Sequence, residues 1–152
     1  MKRGIKVYLL FLASITFLSL LLLFSYNVLM SPTPVDTHTE YAYVPNGRSD
    51  NLSVINTTTN KIEYSFDIGD DPEGVAISLD GTKVYVTNSN IDIVSIIDTA
   101  TNKIIGKVPV GDNPIGIAVT QDGKTVYVAN FYSNDVSIID TATNKVKYDL
   151  DV

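Results

Sequence analysis

The stretch Tyr85-Val86-Thr87-Asn88 recurs in this chain of 152 residues at a constant spacing. Its counterparts are Tyr43-Val44-Pro45-Asn46 and Tyr127-Val128-Ala129-Asn130, so each copy begins 42 residues after the one before it. Self-similarity at a fixed period of about 20–50 residues indicates a repeat architecture. The repeated positions are Tyr43, Tyr85 and Tyr127; Asn46, Asn88 and Asn130; Gly69 and Gly111; Pro72 and Pro114; Gly74 and Gly116; Asp80 and Asp122; and Gly81 and Gly123.

One repeat contains four short segments with strand composition. They cover residues 73–78, 83–88, 93–98 and 103–110, and Asp80-Gly81 between the first two predicts a hairpin turn. No segment of the repeat carries a helical period with caps. Four strands in about 42 residues are typical of one antiparallel propeller blade. The first repeat lacks its inner strand, so we expect eleven strands, in units of 41–82, 83–124 and 125–152.

The strands of the middle unit are apolar on both faces. Val84-Tyr85-Val86 and Ile93–Ile97 do not alternate between apolar and polar residues as a half-solvated sheet would. Each sheet should therefore be covered on both sides, and in the absence of helices the covers must be other sheets. The predicted fold class is all-β, with antiparallel four-stranded blades stacked face to face.

The repeated motifs resemble the YVTN β-propeller repeat. The three Tyr-Val-x-Asn segments carry the resemblance, together with residues 94–103 and 111–119. The resemblance covers residues 41–152 and is similar to the repeats of archaeal surface-layer proteins and exported YncE-like propellers. It implies a structural or binding role at the cell surface. Such propellers typically have seven blades, whereas about 2.7 repeats are present here, so we expect either self-association that completes a ring or a truncated gene copy.

The N-terminal residues predict export. Residues 7–30 are apolar, three cations at Lys2, Arg3 and Lys6 precede them, and about 30 Å of hydrocarbon needs about 20 such residues. The positive-inside bias predicts a signal-anchor with a cytoplasmic N-terminus and extracytoplasmic repeats, in a single-pass cell-membrane protein. A secreted chain produced by signal cleavage is the alternative. Residues 31–40 read as a polar, proline-containing spacer.

Composition argues against several classes of function. All 17 acidic side chains and eight of the 11 basic ones follow Met30, which disfavours nucleic acid as a partner. There is no Cys, and the single histidine, His38, lies in the spacer. We therefore expect no catalytic constellation, metal site or cofactor, and a non-enzymatic module. The alternative is a fragment of a propeller enzyme, either an exported lactonase-like hydrolase or a redox-associated propeller.

Three further features admit a structural and a functional interpretation. The carboxylates Asp67, Asp70, Asp71 and Glu73 suggest either an Asx-type turn between blades or, less readily, a cation site. The strand-end asparagines and the pair Phe131-Tyr132 are read first as structural or variable positions and second as ligand contacts. Asn51 and Asn56 stand in N-glycosylation sequons.

Overall fold

The computed structural model describes residues 39–152, which form one compact unit. The predicted signal-anchor at 7–30, most of the spacer at 31–40 and His38 lie outside the described residues. Among residues 39–152, no helix has the length and apolar character needed to cross a bilayer.

Eleven strands make up the described part of the chain, as the repeat predicts. In chain order they are β1 (Tyr41–Asn46), β2 (Asn51–Asn56), β3 (Lys61–Asp67), β4 (Pro72–Ile77), β5 (Lys83–Asn88), β6 (Ile93–Asp98), β7 (Lys103–Pro109), β8 (Pro114–Val119), β9 (Thr125–Asn130), β10 (Asp135–Asp140) and β11 (Lys145–Asp151). The bounds of β5 and β6 match the prediction, whereas β4 begins one residue early and β7 ends one residue early. A single 3-10 turn at Gly47–Ser49 is the one helical element of residues 39–152.

The strands form three antiparallel sheets of three, four and four strands. The first blade has the order β1-β2-β3, the middle blade β4-β5-β6-β7 and the last blade β8-β9-β10-β11. Every neighbour in a sheet is also a neighbour in sequence, which is the simple meander that short turns permit. The prediction of about three antiparallel blades, with the inner strand missing from the first, is confirmed. The blades divide the chain before Pro72 and Pro114, whereas the unit bounds chosen above fall at 82/83 and 124/125.

Turn chemistry explains why the strands end where they do. Asn60, Asn102 and Asn144, one per blade, occupy the left-handed region with φ of 53–55°, which asparagine tolerates better than most residues. Gly81 and Gly123 have φ of 69° and 68° in the two Asp-Gly hairpins. The same turn thus recurs at the same place in successive blades, because the same residue types recur.

The hydrophobic core consists of two clusters, one at each contact between blades. The first-to-middle cluster contains Leu52, Ile68, Val84, Val86 and Ile97, with Tyr43, Phe66 and Ile104 packed at its margin. The middle-to-last cluster contains Tyr85, Val94, Ile96, Val108, Val126, Val128 and Ile139, with Val110, Ile117, Val119 and Val146 at its margin. The middle blade is therefore apolar on both faces because a sheet covers each of them.

Candidate interaction surface

The repeated asparagines brace the strand ends from inside the fold. Asn88 is fully buried, and its Nδ2 donates to Val86 O at 3.3 Å and to Ser95 Oγ at 3.1 Å. Asn130 Nδ2 donates to Asp135 Oδ1 at 2.6 Å and to Ser137 Oγ at 2.9 Å. Such side chains hold adjacent strands together and present no free donor to a ligand.

Two conserved-spacing glycines make room for these asparagines. A Cβ built on Gly69 would collide with the Asn88 side-chain amide, and one built on Gly111 would lie 2.6 Å from Asn130 Nδ2. In the first blade, Asn46 Nδ2 instead donates to Asn51 Oδ1 at 2.8 Å and to Ser53 Oγ at 2.9 Å. The Gly and Asn positions of the repeat are thus one structural device.

The acidic residues before the blades act in turns. Asp71 has a φ of 50°, its Oδ2 accepts from Ser89 Oγ at 2.9 Å, and its backbone N–H donates to Asp50 Oδ1 at 3.0 Å. Asp70 Oδ1 accepts from Asn90 Nδ2 at 3.0 Å. Within residues 39–152, no three carboxylate or imidazole side chains are grouped so that they could hold a metal ion. The arrangement matches the Asx-turn interpretation of this sequence.

A cleft of about 450 Å³ separates the Asp-Gly hairpins of the middle and last blades. Hydrogen bonds from Ser78 and Thr82 lower the pKa of Asp80 to about 2. Burial, and secondarily the charge of Asp80, raises the pKa of the Tyr85 phenol at the cleft. At neutral pH the carboxylate is therefore a weak base and the phenol is protonated, so this pair is poorly suited to proton transfer.

The two sequons differ in access. Asn56 is 8% exposed, and its Nδ2, the atom that a glycan would occupy, donates to Glu63 Oε1 at 2.7 Å. Its Oδ1 also accepts from the backbone N–H groups of Thr58 and Thr59. Modification of Asn56 would require this turn to open, whereas the half-buried Asn51 uses only its Oδ1 as an acceptor.

The last blade leaves one of its faces open. Its register places Ile138 opposite Tyr127 and Tyr148, and Val136 opposite Ala129 and Leu150. Directly opposed residues lie on the same face of a sheet. We call these six residues the trailing face. Tyr127 is 43% exposed and Leu150 51%, although the central Ile138 is only 4% exposed.

The first blade has a matching open face on its far side. Ala42 lies opposite Ile55, and Ile55 lies opposite Ile62, while Val44 lies on the same face one pair further along. We call these four residues the leading face. Val44 is 38% exposed and Ile62 is 62% exposed. Contiguous apolar surface of this kind marks interaction sites more often than it marks ordinary solvent-facing sheet.

The loop between β9 and β10 carries an exposed aromatic pair. Phe131 and Tyr132 are 60% and 70% exposed, with ring centroids 5.3 Å apart and a tilt of 59°. Their backbone N–H groups donate to Asn113 O and Asp112 O. The loop backbone is thus fixed while both rings face solvent, so these rings are not packed in the core.

Sequence reasoning missed the hydrogen bond that ties blades together. Tyr43 Oη donates to Asn102 Oδ1, 3.2 Å away in the middle blade. One repeat later the corresponding residues are Tyr85 and Asn144, and the buried Oδ1 of Asn144 has no partner among the described residues. The signal was available, because tyrosine and asparagine both recur every 42 residues, but pairing across blades is not visible in a linear pattern.

Solved structures with the same fold include parts of larger proteins. A chain of Kuenenia stuttgartiensis hydrazine synthase is 27% identical, with a TM-score of 0.70 over 79% of this chain and 38% of that chain. The dihydro-heme d1 dehydrogenase NirN, in complex with DHE, is 19% identical, with a TM-score of 0.59 over 78% of this chain and 26% of that chain. The second likeness concerns the fold alone. This chain spans well under half the length of either protein.

Among curated proteins, no sequence matches the chain. The YncE-like β-propeller family profile matches residues 77–152, which is half of the chain and includes the whole last blade. The matched residues contain the second and third Tyr-Val-x-Asn segments and the sheet register described above. The chain belongs to the YncE-like β-propeller family.

Proposed function

We propose that this protein is a membrane-anchored, extracytoplasmic propeller module that binds a partner through its open blade faces and has no catalytic activity of its own. The observation that carries the proposal is the trailing face, where Tyr127 and Leu150 are about half exposed on an otherwise well-packed blade. Leaving apolar area in water forfeits about 25 cal/mol for each Å² that a partner would cover. A bound partner recovers that free energy.

The proposed location rests on the charge and apolar patterning of the N-terminus. Lys2, Arg3 and Lys6 precede the apolar residues 7–30, and none of the next 17 residues is basic. The positive-inside bias then orients the repeats away from the cytoplasm. The proposed partner is a second copy of the chain or another propeller or surface protein, because such surfaces complement a blade face.

Cysteine labelling tests location and binding together, because the native chain contains no Cys. Full chains carrying Leu79→Cys or Leu150→Cys are treated in intact cells with a membrane-impermeant maleimide. Leu79 is 76% exposed and lies outside both open faces, so it reports location, whereas Leu150 reports cover of the trailing face. We expect Leu79→Cys to react in intact cells and Leu150→Cys to react at least tenfold more slowly there than in dilute, detergent-solubilised protein.

Two results would overturn the proposal. Reaction of Leu79→Cys only after lysis would place the repeats inside the cell. Equal reaction rates of Leu150→Cys in cells and in dilute protein would show that nothing covers the trailing face.

A second candidate function is a propeller part of an enzyme. The 27% identity to a hydrazine synthase chain over 79% of this chain favours it. Turnover of a lactone or ester that survives purification of the full chain, and that is lost on changing Asp80 or Asp122 alone, would support this candidate. We expect no such turnover, because the low pKa of Asp80 makes it a weak base.

A further inference from the structure

The two contacts between blades are copies of one interface. In the first-to-middle cluster, Phe66 of the first blade and Ile104 of the middle blade pack at the same margin. One repeat later, Val108 and Val146 occupy the corresponding places in the middle-to-last cluster. A shift of 42 residues therefore converts one interface into the next.

The same shift applied once more leads from the last blade out of the chain. It carries the covered residues Tyr85, Val94, Ile96 and Val108 onto Tyr127, Val136, Ile138 and Leu150. These four belong to the trailing face. Their side chains have the size and polarity of residues that are fully buried one blade earlier, so the face has the chemistry of an inter-blade contact that is half made.

The leading face has the composition of the missing half. In the middle and last blades, the positions that pack against the preceding blade are Val84 and Val126, Val86 and Val128, Ile97 and Ile139, and Ile104 and Val146. In the first blade these positions hold Ala42, Val44, Ile55 and Ile62. Three of the four are the same β-branched residue as in the middle blade, and the fourth is smaller.

The tyrosine–asparagine tie between blades extends the correspondence to a polar contact. Tyr43 Oη donates to Asn102 Oδ1 across the first interface. The next tyrosine without a following blade is Tyr127, and the asparagine without a preceding blade is Asn60. Asn60 is exposed and has a φ of 55°, against 53° for Asn102, so its side chain starts from the same backbone conformation.

From this repeat geometry we propose that the partner is a second copy of this chain, bound head to tail. The leading face of one copy packs on the trailing face of the other, and Tyr127 of one copy donates a hydrogen bond to Asn60 of the other. The proposal rests on the proposed function, since it names the occupant of the same open face. Pairing of two trailing faces would place tyrosine against tyrosine with no asparagine acceptor, so the contact is heterologous.

Cross-linking of single-cysteine full chains in their native membrane tests the pairing. One chain carries Ile62→Cys and one tag, and the other carries Leu150→Cys and a second tag. By the repeat, these positions share one cluster, as Ile104 and Phe66 do. With a short bismaleimide we expect a product that contains both tags, at least tenfold above that from the matched control pair Leu79→Cys and Leu150→Cys.

Tyr127→Phe and Asn60→Ala probe the polar contact. In otherwise identical single-cysteine chains, each substitution should lower the yield of the two-tag product about threefold, and both together should lower it no further than either alone. This non-additivity distinguishes a direct contact from two independent disturbances of the fold.

Products of like with like, cross-links only to a protein of another mass, or a two-tag yield no higher than the control would each overturn the pairing. So would additive losses from Tyr127→Phe and Asn60→Ala. If Leu150→Cys is shielded in intact cells while no two-tag product forms, the head-to-tail copy is wrong and the proposed binding function stands. If Leu150→Cys is not shielded at all, the proposed function fails first.

Discussion

The middle and last blades have nearly the same sequence and the same strand bounds, yet one is closed and the other open. Tyr85 is 1% exposed and Tyr127 is 43% exposed, although each occupies the third residue of its strand. Val108 and Leu150 differ in the same way, at 2% and 51%. The comparison teaches that the shape of a blade is decided within the repeat, whereas the burial of its faces is decided by its neighbours.

The largest difference should appear when the two tyrosines are truncated. Tyr85→Ala removes a fully buried ring from the middle-to-last cluster, and large-to-small changes of this kind cost about 3–5 kcal/mol of unfolding free energy. Tyr127→Ala should cost less than about 1.5 kcal/mol in the separated chain, because its ring already contacts water. Urea titration of the full chain in mild detergent, at a concentration where it is monomeric, measures both.

The control for this pair is Leu79→Ala, which alters an apolar side chain that is 76% exposed and packs in neither cluster. Its effect should stay within about 0.5 kcal/mol. Equal losses for Tyr85→Ala and Tyr127→Ala would contradict the comparison, because they would mean that the last blade is covered in the monomer as well.

A smaller difference is expected at a matched pair of glycines. A Cβ on Gly74 would collide with the carbonyl oxygen of Ile115 in the following blade, whereas one on Gly116 would find only Ala129 Cβ, at an ordinary 3.5 Å. Gly74→Ala should therefore cost about 1–3 kcal/mol, as overpacking does, and Gly116→Ala should cost within about 0.5 kcal/mol. The same urea titrations compare the two variants.

Loss of stability in both glycine variants would show that glycine is needed for the backbone of this strand rather than for the approach of the next blade. A neutral Gly74→Ala would show that the two blades can move apart by the width of a methyl group.

The smallest effect concerns acid, and here the two blades should behave alike. Hydrogen bonds from Ser78 lower the pKa of Asp80 to about 2, and the corresponding bonds from Thr120 lower the pKa of Asp122. Since the folded-state pKa lies below the unfolded value of about 3.9, these carboxylates stabilise the fold above pH 4. That stabilisation is lost as the pH falls from about 4 towards 2.

Urea titrations between pH 6 and pH 2 follow this loss. Asp80→Asn and Asp122→Asn should each flatten the decline by a similar amount, because the turn is independent of blade cover. Thr99, outside these two hairpins, offers a neutral control as Thr99→Ser. A free energy of unfolding that rises on acidification, or a decline unaffected by either variant, would show that the hairpin aspartates are not the responsible groups.

Much of the fold follows from the sequence because the signal is repeated. Strand β5 has the predicted bounds, and the Asp80-Gly81 hairpin forms with Gly81 in the left-handed region, because strand and turn depend on a few adjacent residues. The sequence also indicates that the middle blade is covered on both faces.

Less of the interaction surface could be predicted, for a physical reason. The burial of Asn88 and the bond from Tyr43 to Asn102 depend on how one blade lies on another, and linear spacing does not encode that relation. Phe131 and Tyr132 illustrate the opposite limit. They depart from the repeat, so no second copy of their loop existed from which to infer whether their rings were packed or exposed.

The stacking of blades also determines how stability is distributed along the chain. Each blade packs only against its immediate neighbours, so the array behaves as a short one-dimensional chain of coupled units. Opening of an end blade breaks one interface, whereas opening of the middle blade breaks two, and such arrays lose structure from their ends inward. Residues 72–109 therefore form the thermodynamic keystone of the described chain. A unit joined at either end would raise the stability of its neighbour without altering a single contact inside it.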